Sequence, residues 1–143
     1  MKNRTQEARR WLRQAQSDLG FLETARNAGK HDACCFLAQQ TAEKALKAFL
    51  FFQGEELVFS HSIFRLTAMA AEYDAKFQQI QESVKQLDFY YVEARYPNAL
   101  EEVIPAEFFN AADAAQAIAM ASRVVEAVEA RLATPLSGTE PEE

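Results

Sequence analysis

Residues 34–52 read Cys34-Cys35-Phe36-Leu37-Ala38-Gln39-Gln40-Thr41-Ala42-Glu43-Lys44-Ala45-Leu46-Lys47-Ala48-Phe49-Leu50-Phe51-Phe52. At about 100° per residue on a helix, Cys34, Leu37, Ala38, Thr41, Ala42, Ala45, Ala48, Phe49 and Phe52 gather on one side. Phe36, Leu50 and Phe51 fall on the opposite side. Gln40, Glu43 and Lys47, spaced three and four apart, share a face between the two. A helix that is apolar on two sides needs two partners. The first is the rest of its own bundle. The second is expected to be another subunit, with a few polar groups trapped at the contact.

Outward from this segment the chain reads as further helices. Ala8, Trp11, Leu12, Ala15, Leu19, Leu22 and Ala25 form one face of a first helix from about Thr5 to Asn27. Asn27-Ala28-Gly29-Lys30 stops it, and Gly54 stops the second helix, which runs from about His31 to Gln53. After the short link Glu55–Ser60, Ser60 is the expected N-cap of a shorter third helix, His61 to about Ala71. Phe77, Ile80, Val84, Leu87 and Tyr91 form the seam of a fourth helix from about Asp74 to Ala94, ended by Pro97. Asn98–Ile104 reads as loop. Pro105 opens a fifth helix to about Leu132, with the seam Phe108, Ala111, Ala115, Ile118, Ala121, Val125, Val128 and Leu132. The expected fold class is all-α: an up-and-down bundle of four long helices plus one short helix over residues 1–133. Residues 134–143, rich in proline and acidic groups, read as a disordered tail.

Composition sets the outer bounds. The chain has 143 residues, 49% hydrophobic and 25% charged, enough for one domain with its own core. No apolar run approaches the roughly 18 residues of a membrane span, and residues 1–7 lack the apolar stretch of a signal peptide. No membrane association and a cytoplasmic location are therefore expected. Cys34 and Cys35 are adjacent, a poor arrangement for a mutual bridge and the wrong spacing for a zinc or redox pair. They read as buried thiols, and no metal site or cofactor is expected. Net charge is −6, which argues against broad attraction to nucleic acid. The charge is uneven, however: residues 1–16 carry +4, leaving −10 for the remainder. This basic segment is either a solvated helix face or a local patch for phosphates or an acidic partner.

Several polar residues stand out. Asp18 lies inside the apolar face of the first helix, so it needs a partner such as Lys44, Lys47 or Arg95, or else belongs to a polar pocket. Gln40, Glu43, Lys44 and Lys47 form either a satisfied interface network or a ligand site. Arg95, near Tyr90, Tyr91 and Tyr96, suits phosphate pairing and base stacking, or a salt bridge that anchors the loop. His31 and His61 sit at helix starts as caps or half-buried rings. No phosphate-binding glycine loop, nucleophile elbow or carboxylate dyad is visible.

Taken together, Trp11 with Ala15-x-x-Asp18-Leu19, the run Phe36–Ala48, His61 with Leu66, and Tyr90-Tyr91-x-x-Ala94-Arg95-Tyr96-Pro97 resemble the HEPN domain family. The resemblance implies a bundle of four to five helices, usually a homodimer. It also implies two lines of function. Many members are small prokaryotic proteins paired with a minimal nucleotidyltransferase in toxin–antitoxin systems. Others are metal-independent ribonucleases whose motif is an arginine, then a polar residue, then a histidine four to six residues after the arginine. Arg95 matches that arginine, but Tyr96 stands at the polar position and Tyr96–Val103 contains no histidine. Cleavage of this kind needs proton transfer that histidine performs and arginine does not.

The leading expectation is a non-enzymatic or weakly active dimeric module in a toxin–antitoxin-like system. It would bind a nucleotide, an RNA or a minimal nucleotidyltransferase. Its expected polar centre is Asp18, Gln40, Glu43, Lys47, Tyr91, Arg95 and Tyr96. The alternatives are a ribonuclease toxin with Arg95 as its catalytic residue, and a purely structural dimer.

Overall fold

Asn3 opens the bundle by accepting hydrogen bonds at its side-chain oxygen from the backbone N–H groups of Thr5 (2.9 Å) and Gln6 (3.1 Å), two donors that a helix start leaves unpaired. In the computed structural model, which describes residues 3–133, this cap begins α1 (Arg4–Asn27), followed by α2 (His31–Phe52), α3 (Ile63–Ala71) and α4 (Lys76–Val84). A 3₁₀ segment (Lys85–Tyr91), a 3₁₀ turn (Pro97–Ala99), α5 (Pro105–Phe108) and α6 (Ala111–Ala133) complete it. Strands are absent among the described residues, so the fold is an all-α helical bundle. The expected acidic tail, 134–143, lies outside them.

Both glycine stops act as read. Gly29 and Gly54 have φ of 81° and 107°, a region costly for a residue with a Cβ. After α1 the N–H groups of Gly29 and Lys30 reach the carbonyls of Arg26 and Ala25. After α2 those of Gly54 and Glu55 reach Phe51 and Leu50. Each pair is a Schellman closure.

α2 is the central helix, packed against α1, α6, α3, α5 and the 3₁₀ segment. Ala38, Ala42, Ala45 and Ala48 are fully buried and let its neighbours approach closely, while Phe49 stacks on Phe77 at 4.5 Å. This arrangement corrects the expectation that a second subunit must cover the far side of α2. Leu50 is fully buried within the chain. Phe51 packs on Trp11 (5.3 Å between centroids), and Phe36 packs under Tyr91 and Arg95. The two-sided pattern reflects a helix surrounded by its own bundle.

Three boundaries differ from the sequence reading. Ser62, not Ser60, caps α3, accepting from the Arg65 N–H at 3.1 Å. The fourth helix is α-helical only to Val84. Beyond it the tighter 3₁₀ path, at about three residues per turn, buries Leu87 and Tyr90 and leaves Tyr91 half-exposed, where an α-helical seam would bury Tyr91. The cause lies at Asp88. Its carboxylate accepts from the Ser62 hydroxyl (2.8 Å) and from the backbone N–H groups of Ile63 and Phe64, drawing the 3₁₀ segment onto the N-terminus of α3. The fifth helix is also split. Phe109 is extended and buried, and Asn110 and Asp113 form a reciprocal cap (2.9 Å each way) that starts α6. The seam is rephased accordingly: Phe108 and Ala111 are exposed, and Ala114 and Ala117 are buried.

Candidate functional site

α2 supplies the floor of the site. Gln39, fully buried, donates through its amide to the His61 carbonyl (2.8 Å) and to Glu43 Oε1 (3.2 Å), and accepts from Gln40 (3.0 Å). Glu43 Oε2 accepts from Lys47 Nζ at 2.9 Å and lies 3.0 Å from His61 Nδ1. The side chains of Glu43 and Lys47 are only 10% and 8% exposed, so this ion pair is desolvated. Burial alone pushes the Glu43 carboxyl up. Hydrogen bonds from Lys47 and His61, the Lys47 charge and the Gln39 amide outweigh it, and the net shift is downward. Glu43 is therefore a carboxylate near neutral pH and can only accept, so His61 must donate from Nδ1 and turn Nε2 away from the floor.

The turn before α3 and the end of the 3₁₀ segment supply the wall. The His61 ring stacks on Tyr91, with centroids 5.0 Å apart and planes 15° from parallel. Arg95 anchors its Nε to the Tyr91 carbonyl (3.1 Å). Its guanidinium lies over the rings of Phe36, Tyr91 and Tyr96 at 4.4, 4.9 and 4.7 Å. It is exposed and has no carboxylate partner among the described residues. A guanidinium held by three aromatic faces is preset to meet a phosphate, and the exposed tyrosines beside it can stack on a base.

Six of the residues singled out in the sequence, Gln40, Glu43, Lys47, Tyr91, Arg95 and Tyr96, are linked in this one cluster through shared contacts. Asp18 is not among them. It sits between α1 and α2, paired with Lys44 at 2.6 Å and accepting from Gln14 at 3.0 Å. Of its three candidate partners, Lys44 is the one it uses. The salt bridge considered for Arg95 is replaced by ring contacts. Two members were missed, Gln39 and His61. The spacing of Gln39, four residues before Glu43, was the available signal for the first. Nothing local marks His61, whose partners are brought to it by the loop after α2.

Cys34 and Cys35 are fully buried, and desolvation lifts their thiols to about 11 and about 12. They are thus protonated packing groups. Among the described residues no group of three or more His, Cys, Asp or Glu side chains is arranged to hold a metal ion, and no helix is long and apolar enough to cross a membrane.

The HEPN domain model matches residues 8–131. Two solved structures are similar along nearly the whole chain. One is TT1696 from Thermus thermophilus, at 33% identity and a TM-score of 0.82, covering 91% of this chain and 99% of that one. The other is ST0689, described as an archaeal HEPN homologue, at 33% identity and a TM-score of 0.72, covering 92% and 99%. No curated protein matches the chain.

Proposed function

Because the chain belongs to the HEPN domain family, we propose that it is a dimeric binding module for a nucleotide or RNA, working with a minimal nucleotidyltransferase in a toxin–antitoxin-like system. The observation that carries this reading is Arg95. Its exposed guanidinium is fixed over Phe36, Tyr91 and Tyr96 with no carboxylate to neutralise it among the described residues. An internal structural arginine is normally paired; one that is oriented and unpaired suits an incoming anion. The exposed Leu57 and Phe59, in the segment leading to His61, offer apolar surface for a protein contact at the same end of α3. The test is fluorescence anisotropy with labelled mononucleotides and short oligoribonucleotides. Arg95→Ala is expected to weaken binding by about tenfold or more, the worth of a stacked base or a charge-assisted contact. Unchanged affinity in that variant would refute the site.

A second reading, a metal-independent ribonuclease, is favoured by one observation: His61 replaces the missing downstream histidine in space. Glu43 orients its Nδ1, and Tyr91 links the imidazole to Arg95. His61 Nε2 would take the 2′-hydroxyl proton as that oxygen attacks phosphorus. The bond to the 5′ oxygen breaks and the departing oxygen takes a proton from water, while Arg95 offsets charge on the phosphoryl oxygens. Incubating a mixed RNA pool in chelator with wild type, His61→Ala and Arg95→Ala separates the two readings. Cleavage lost in both variants would establish the enzyme, and no cleavage by excess wild type would leave the binding module.

A further inference from the structure

A second feature on the outer face of α2 extends that site. Phe36, Gln40, Lys44, Lys47 and Phe51 are spaced four, four, three and four apart, so they lie along one side of the helix. At the Phe36 end stand Arg95 and Tyr91. At the Phe51 end stands Trp11, packed ring to ring on Phe51. Beside Trp11, α1 and α2 enclose a groove of about 570 Å³ lined by Glu7, Arg10, Trp11, Arg13, Gln14 and Lys44. Two of its cations are already partnered, Arg10 with Glu7 and Lys44 with Asp18, each at 2.6 Å. Arg13 is exposed and has no carboxylate partner among the described residues. The groove belongs to the basic segment of an otherwise acidic chain, so it is a local positive site on a repelling background.

We infer that the Trp11 groove is a second subsite for single-stranded RNA, and that the ligand of the Arg95 site is an oligoribonucleotide rather than a mononucleotide. The inference rests on the proposed binding function. From Phe36 to Phe51 the helix rises about 22 Å at 1.5 Å per residue. At a stacked rise of about 3.4 Å, that length spans roughly six nucleotides. Both ends pair an aromatic ring with an arginine that has no carboxylate partner among the described residues, the combination that holds a base and its phosphate without reading sequence. Gln40 and Lys44 lie along the side of α2 that joins the two ends.

The experiment is anisotropy with a labelled dinucleotide and a labelled mixed-sequence decanucleotide, over a salt series, on the full chain. The variants are Arg95→Ala and the double variant Arg10→Gln/Arg13→Gln, whose side chains are on the exposed face of α1; circular dichroism verifies that they fold. The double variant is expected to bind the dinucleotide as wild type does, and to bind the decanucleotide about tenfold more weakly. Its slope of log K against log salt should be shallower by about 1.4, for two lost phosphate contacts. Arg95→Ala should weaken both ligands. Wild-type decanucleotide binding in the double variant, with Arg95→Ala still defective, overturns the second subsite and leaves the Arg95 site intact. Failure of wild type to bind either RNA overturns both readings. Displacement of the decanucleotide by a polyglutamate peptide of equal charge would assign the groove to an acidic protein segment and overturn the RNA inference.

Discussion

Replacing Glu43 by alanine is the sharpest perturbation of this molecule. The carboxylate accepts from Lys47, Gln39 and His61 at 2.9–3.2 Å. Removing it leaves the Lys47 ammonium, only 8% exposed, without its ion-pair partner. Breaking a buried pair from one side costs about 3–5 kcal/mol, because the remaining charge has lost its compensation. In a chain of this size that corresponds to a fall in melting temperature of roughly 10 °C or more. Urea unfolding at pH 7 measures it, with an unchanged m-value excluding a change in the denatured state. The paired replacement Glu43→Leu/Lys47→Met keeps the volume and removes both charges, so it should recover most of the loss. Acid supplies an independent check. The folded pKa of Glu43 is lowered from the ordinary 4.5, so its contribution is present above that value and lost as pH falls through the lowered one. The stability gap between wild type and Glu43→Gln should therefore narrow below about pH 4.5. A loss under about 1 kcal/mol for Glu43→Ala would refute the claim that this pair is desolvated and coupled.

Two further outcomes follow from the helix junctions and the core. Asp88→Ala removes the acceptor for the Ser62 hydroxyl and for two backbone donors at the start of α3. It should cost about 1.5–3 kcal/mol and raise hydrogen exchange at Ile63 and Phe64 selectively; uniform exchange across the bundle would contradict the local clamp. Cys34 and Cys35, buried with thiols raised to about 11 and about 12, should resist alkylation at pH 8 in the folded protein and react on unfolding. Rapid labelling of the native chain would show that α2 is not enclosed as described.

The long helices were legible because each carries its own punctuation. Gly29, Gly54 and the seam of α1 need no tertiary information. The region after Val84 was not legible, since an α-helix and a 3₁₀ segment place Leu87 in the same position and differ only at Tyr90 and Tyr91. The choice between them is made by Asp88 binding a helix start about 25 residues earlier in the chain, which no local pattern records. The site divides the same way. Glu43 and Lys47 announce themselves by spacing on one helix, whereas His61 joins them through an 18-residue separation. The apolar second side of α2 was misread for a related reason. Periodicity shows that a face is covered but not which chain covers it, and here Trp11 and Tyr91 of the same chain do so.

The buried Glu43–Lys47 pair also bears on function. Such a pair stabilises no more than a well-packed apolar pair would, so stability alone is a weak reason for it. Its distinguishing consequence is directional. The carboxylate fixes the imidazole of His61 from one nitrogen, while Gln39 holds the backbone of the same residue. The ring so oriented stacks on Tyr91, which in turn lies against the guanidinium of Arg95. If orientation is the role, Glu43→Leu/Lys47→Met will be as stable as wild type yet bind oligoribonucleotides more weakly, and Glu43→Gln will retain part of the affinity through its remaining acceptor. If both variants dimerise and bind as wild type does, the cluster is structural, and the contact with RNA must be made by Arg95 and its aromatic neighbours alone.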